Sequence, residues 1–361
     1  MEKAKKDNIM LFRAAACVMV FVCHLCQKLH LPANLLQITQ FGRFGVEIFF
    51  IISGYLIARS YYSYGKKNPI VFIERKAVRI LPLYYSIILW FYLTDKYIFH
   101  YGVSDSTGYG WIRYLFILNG FLPYPNEAPY WWWNLGMSWT IPMFMGAYFL
   151  FPICLNVLDI FLNSEHKWFK GSYLAIGLVA ITEIAYRIQQ IYFPNILLIL
   201  CYLRFFSLGI LLFYAEREER KHTLIIGASL YELCLMIVGK NDYELLYSLI
   251  FLILIAVTEN ITLSGYIKNI VNVIAKFSFT IYMVQSIPLS QFVVYIEQNW
   301  TNGLSRYLAF IVIVGSTILL TPLFFYGVQR PVEKIFLGYQ NKKKLIINAA
   351  DVSNQDRGGL F

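Results

Sequence analysis

The chain has 361 residues, of which 58% are hydrophobic and only 14% charged, and its net charge is +10. Soluble domains carry about 25% charged residues, so the composition excludes an ordinary soluble protein and predicts an integral membrane one. The basic residues sit in short segments between apolar stretches, as membrane topology demands, which argues against a nucleic-acid partner. A wealth of aromatics, 28 Tyr, 29 Phe and 8 Trp, supplies interfacial anchors for apolar spans in a lipid bilayer.

The first apolar stretch, 11–28, runs into Gln27-Lys28-Leu29-His30 with no small-residue cleavage site, so it is expected to stay in the protein. It contains Arg13 and His24, eleven positions apart. At 100° per residue that spacing leaves only ~20° of offset, so both side chains share one helix face, separated by ~16 Å of rise. Snorkelling to the interface explains an arginine alone, and an interhelical hydrogen bond explains a histidine alone. Two costly polar groups on one stripe predict a functional site. A second span, 42–60, carries Glu47 near its start, which needs a partner such as Arg13 or His24. Its Ser53-Gly54 pair permits close approach of another helix or of a ligand; no base is fixed beside Ser53.

Between this span and the third, at 80–99, lies Glu74-Arg75-Lys76-Ala77-Val78-Arg79-Ile80-Leu81-Pro82. Inside-positive loop charge accounts for some of it, and three cations in five residues at a helix entrance also suit a phosphorylated ligand. The outer loop 99–137 includes an apolar piece, 111–122, too short to cross and expected to be re-entrant or interfacial. Trp131-Trp132-Trp133 fits either an aromatic belt or a carbohydrate-stacking platform. Further spans are expected at 138–158, 172–190, 194–214, 223–239, 243–258, 272–295 and 305–328, the seventh and eighth of the ten being short. Arg204 sits in the middle of the sixth, where it must pair with a carboxylate, Glu183 or Glu232, or face a polar cavity. Ser278, Tyr282 and Gln285 form one polar stripe on the ninth, fit to line a substrate path or to bond a neighbouring helix.

With the N-terminus cytoplasmic, the inner segments 1–10, 59–79, 159–171, 215–222, 259–271 and the tail, with Lys276, hold 22 of the 31 Lys and Arg, against seven outside. That asymmetry supports ten spans with both termini cytoplasmic. The expected fold class is an all-α integral membrane bundle, residues 1–335, with a polar tail, 336–361. The six cysteines lie in or beside apolar spans; Cys23-His24-Leu25-Cys26 has no second ligand cluster, so packed thiols and no metal are expected.

Together these residues resemble the membrane-bound acyltransferase type 3 family, over about residues 9–335. The family's basic-residue, ten-spacer, His motif matches Arg13 and His24, and its Gly-Val-acidic motif matches Gly45 through Ile57. Its basic-x-x-Arg-Ile-x-Pro motif matches Lys76, Arg79, Ile80 and Pro82, and its late Ser-x-x-x-Tyr motif matches Ser278 and Tyr282. The ending Arg330-Pro331-Val332-Glu333-Lys334 is also similar. The chain departs where many members carry Trp-Ser-x-x-x-Glu: here Trp139-Thr140 leads to Phe144, and Gln285 stands where many relatives place His. The stretch Gly146–Pro152 is similar to the stand-alone branch that O-acetylates polysaccharide intermediates, and no hydrolase domain is appended.

The resemblance implies a multi-pass enzyme of a bacterial cell membrane that takes an acyl group, acetyl first, from acyl-CoA to a hydroxyl of a surface glycan or lipid-linked sugar. On that reading His24, Arg13 and Glu47 are the catalytic set, and Arg75, Lys76 and Arg79 bind the CoA phosphates. Arg204, Ser278, Tyr282 and Trp139 line the substrate path. Direct transfer and an acyl-enzyme both remain open, as do succinyl or longer donors and a glycan exporter with the same fold.

Overall fold

A computed structural model describes residues 2–29, 41–66, 68–98, 114–118, 136–162, 170–192, 198–220, 243–258, 260–292 and 304–340, together with 224 and 227. Among the described residues there is helix and no strand. The helices are α1 (Glu2–Lys28), α2 (Gly45–Ser60), α3 (Pro69–Tyr97), α4 (Thr140–Leu162), α5 (Gly171–Tyr192), α6 (Leu198–Arg217), α7 (Tyr243–Val257), α8 (Gly265–Val284) and α9 (Leu304–Phe324). Seven helical segments are long and apolar enough to cross a membrane: Asp7–Lys28, Phe41–Tyr64, Pro69–Thr94, Thr140–Leu162, Gly171–Tyr192, Gly265–Val284 and Tyr307–Gln340. The protein is an all-α, multi-pass membrane protein. Expected spans one to six and eight to ten fall on α1 to α9 in order, whereas the seventh lies outside the described residues except Leu224 and Gly227.

Two expected loops are instead helix. The stretch 69–79 forms the first turns of α3, because Asn68 caps it: its side chain accepts from the Val71 N–H at 3.1 Å, and Pro69 occupies the first turn, where a missing N–H costs nothing. Arg75, Lys76 and Arg79 are therefore presented on a rigid helix face rather than a flexible loop. Likewise α8 begins at Gly265, seven residues before the expected span. Of the expected re-entrant piece, residues 114–118 are described. They lie against α3, where the hydroxyls of Tyr84 and Tyr85 donate to the carbonyls of Tyr114 and Leu115 at 2.9 and 2.8 Å. Carbonyls in the last turn of a short helical piece run short of partners within it and need such donors.

The tightest helix contact is that of α2 with α6. A Cβ added at Gly54 would stand 1.9 Å from the Phe206 carbonyl oxygen, and one at Gly209 would stand 1.9 Å from that of Ile51. Only glycine lets these backbones touch. Around the crossing, Phe50 packs on Phe206, Phe144, Tyr202 and Trp139, with ring centroids 4.8–6.2 Å apart. The ends of the helices tie the basic segments to one another. Lys268 pairs with Asp7 at 2.7 Å, Asn8 bonds Ile255 at 2.8 Å, and Lys66 pairs with Asp159 at 2.8 Å. Glu218 accepts from the Gly171 N–H at 2.6 Å, and Gln340 donates to Glu74 at 2.8 Å. Segments that the charge pattern assigned to one side thus meet at one end of the bundle.

Candidate active site

The stripe on α1 and the stripe on α8 face each other. Arg13 donates through Nη2 to Ser278 Oγ at 3.0 Å, Cys17 contacts the Ser278 carbonyl at 3.7 Å, and His24 lies against Gln285. Both series ascend, so the two helices run parallel, as a first and a ninth span must. Beside this seam lies a chamber. One of its ends is cationic, with Arg13 from α1 and Lys76 and Arg79 from α3. Val46, Phe49, Ser53 and Leu56 form the α2 wall, at spacings that recur on one helix face. Thr140, Phe144 and Tyr148 do the same on α4, with Tyr148 nearest the cations: Lys76 Nζ stands 5.6 Å from its ring centroid. Two turns earlier, Thr140 is hydrogen-bonded to Tyr282 of α8. The chamber therefore runs from cations to a hydroxyl pair, over ~12–15 Å judged by helix rise between Tyr148 and Thr140 and between Leu56 and Val46.

A wider vestibule shares Arg13, Lys76, Arg79 and Phe279 with the chamber, so these four form the neck between them. Among the described residues the vestibule adds Arg75 and Lys276, against one carboxylate, Glu333. Arg75 stacks over Tyr64 at 4.7 Å while its buried Nε has no partner among the described residues. Among the described residues the chamber wall contains no Asp or Glu. Arg13 is held by one serine and Lys76 by another, Ser60 Oγ at 3.2 Å. Hydroxyls satisfy hydrogen bonds but cancel no charge, and each cation inside a membrane costs about 2.5–3.5 kcal/mol on insertion scales. Such a neck suits an anion.

His24 lies outside the chamber wall, at its contact with Gln285, and the remaining expected residues are placed elsewhere. Glu47 is buried and accepts from Ser248 of α7 at 3.1 Å, outside the chamber wall. Arg204 is 1% exposed, pairs with Glu183 at 3.3 Å and lies 4.0 Å from the Tyr186 ring centroid. Glu183 also holds Arg187 at 2.6 Å, so this network fastens α5 to α6 and lines no path through the chamber. Trp139 packs on Tyr202 at 4.6 Å, one residue short of the wall that Thr140 joins. Trp131 to Trp133, Glu232 and the residues from 341 on lie outside the described residues. The described residues bring together no group of three or more His, Cys, Asp or Glu side chains. Thr140, Tyr148 and Lys276 were not expected at the site; the four-residue periodicity of Thr140, Phe144 and Tyr148 was the readable sign of the first two.

In comparison with known proteins, a family model described as an acyltransferase domain, of the type 3 class, matches residues 6–326. No curated protein and no solved structure matches the chain.

Proposed function

The chain belongs to the acyltransferase type 3 family, and from that premise we propose that it is a membrane O-acyltransferase using acyl-CoA, acetyl-CoA first, and a hydroxyl of a bacterial surface glycan. The observation that carries this reading is the cationic neck: among the described residues, three cations and no carboxylate line the chamber, which opens on one side to a vestibule with two more cations. The phosphates of CoA would sit among Arg75, Lys76, Arg79 and Arg13, where guanidinium groups give charge-assisted bonds. The pantetheine arm, ~15–20 Å when extended, would pass along the chamber and bring the thioester to Ser278, Tyr282 and Thr140 (arm and chamber lengths compared through helix rise).

His24 is the base. It lies beside Gln285, which follows Tyr282 by three residues, a rise of ~4.5 Å past the hydroxyl pair. The glycan oxygen bonds to the thioester carbon, His24 takes its proton, and the C–S bond breaks. The CoA thiolate leaves and receives that proton from the imidazolium. Tyr282 and Ser278 supply hydroxyl donors to the oxygen that becomes negative in between. Glu47, buried against Ser248, keeps α2 seated on α7. The vestibule would face the cytoplasm, with both termini on that side, in the cell membrane of a bacterium.

A glycan exporter without chemistry is the competing reading, favoured by Phe144, which stands in the chamber wall where many relatives carry Glu. NMR of the surface polysaccharide separates the two. Replacing His24 with Ala should lower transfer about 10²–10⁴-fold, the span of general base catalysis, with acetyl-CoA binding intact. Full O-acetylation in cells carrying His24→Ala at normal protein levels would remove the base and leave the exporter.

A further inference from the structure

The vestibule has two unlike walls. Arg75, Lys76 and Arg79 of α3 line one of them, with Arg13 and Lys276 beside it. The other comes from beyond α9. There the chain passes through a π-helical turn, Phe325–Gln329, and continues as helix over 330–340. Gln329, Glu333, Phe336 and Leu337 line the vestibule from this stretch, at spacings that keep them on one face. A π-turn re-aims the helix that follows it and is frequent at functional sites. Both ends of the stretch are tied down. Thr280 of α8 donates to Gln329 Oε1 at 2.9 Å, and Gln340 donates to Glu74 of α3 at 2.8 Å.

Glu333 is the anomaly on this wall. Five cations line the same cavity and Arg330 precedes it by one turn, yet among the described residues no cation is paired with it. Its Oε1 accepts instead from Gln329 Nε2 at 3.1 Å, and its Oε2 has no partner among the described residues. The relay from Thr280 through Gln329 fixes the carboxylate without neutralising it. A carboxylate repels phosphates, so its place in a cation-lined cavity needs a reason other than charge balance. An N–H donor on the ligand supplies one. Phe325 and Phe336 add apolar ring faces to the same wall, on which a flat base can stack.

We propose that Glu333 Oε2 accepts a hydrogen bond from the exocyclic amine of adenine, with the base packed on Phe336, and so selects the nucleotide of the donor. One free oxygen suits the single amine of adenine. Guanine would need two acceptors side by side for its N1–H and its amine, and Gln329 occupies one of them. The proposal rests on the acyl-CoA reading and names the part of the donor which that reading left unplaced: the adenine ring, opposite the cations that take the phosphates.

The test uses full-length protein in nanodiscs and displacement of radiolabelled acetyl-CoA by the 3′-phosphate 5′-diphosphates of adenosine, inosine and guanosine. Inosine carries an oxygen where adenosine carries the amine, and the phosphates are identical. Wild-type protein should bind the adenosine form about 10- to 100-fold more tightly than the inosine form, the worth of one hydrogen bond to a charged group. Glu333→Ala should bring the two within about twofold of each other. Glu333→Gln should bind the inosine form more tightly than the wild type does, because an amide can donate to that oxygen. A misfolded variant cannot show such a gain. Equal wild-type affinity for the adenosine and inosine forms, or tighter binding of the guanosine form, overturns the subsite and leaves the acyl-CoA reading standing. So does Glu333→Ala that keeps the adenosine preference, or Glu333→Gln with no gain. Wild-type protein that binds no acetyl-CoA removes the donor reading, and this subsite with it.

Discussion

Arg13 and Arg204 are both arginines inside apolar helices, and they end in opposite situations. Arg204 is closed off: Glu183 pairs with it, and Tyr186 and Phe205 stack on it at 4.0 and 4.8 Å. Arg13 meets only a serine among the described residues and opens onto a chamber where Lys76 and Arg79 add to its charge. The first arrangement has its charge matched by a carboxylate. The second awaits a negative group. A buried charge therefore marks a binding site when its compensation is missing, whereas its cost alone marks nothing.

Removing the compensation from Arg204 should have the largest effect. Glu183→Leu removes the carboxylate that Arg204 and Arg187 share, and breaking a buried pair in this way costs about 3–5 kcal/mol. Loss of folded, monodisperse protein after mild heating in detergent would show it; a variant as heat-resistant as the wild type would dissolve the contrast between the two arginines. Arg79→Ala should act on the other side of the comparison, in the opposite manner. The helix keeps its cap at Asn68 and the fold its stability, while loss of charge-assisted hydrogen bonds worth about 1.5–3 kcal/mol weakens CoA binding about 10- to 100-fold. Titration calorimetry reads that directly, and unchanged affinity would take the neck out of donor binding.

The same comparison shows what could be read in advance. The stripes Arg13–His24 and Ser278–Tyr282–Gln285 were legible because helix periodicity is local. Their pairing was not, because nothing in either segment says which of its neighbours it will meet. The unequal spacings, eleven residues on α1 and seven on α8, even hid it; a long Arg side chain reaching along the seam to Ser278 takes up the difference. Glu183 was named as a partner for Arg204 together with Glu232, and only packing of α5 on α6 chooses between them. Glu47 was expected near Arg13 or His24, yet its bond goes to Ser248, 201 residues away. The dense charge of 74–79 read as loop, although Asn68 caps a helix that starts at Pro69. A charged helix beginning below the apolar span is legitimate when its cations line a vestibule.

The central claim is that Arg13 serves a ligand while Arg204 serves the fold. Acetyl-CoA titrated into purified wild-type protein and into Arg13→Gln, with melting curves recorded on the same samples, tests it most directly. The account predicts superimposable melting and an affinity about 10- to 100-fold weaker in the variant. Equal affinities, or a variant that unfolds as Glu183→Leu is expected to, would contradict it.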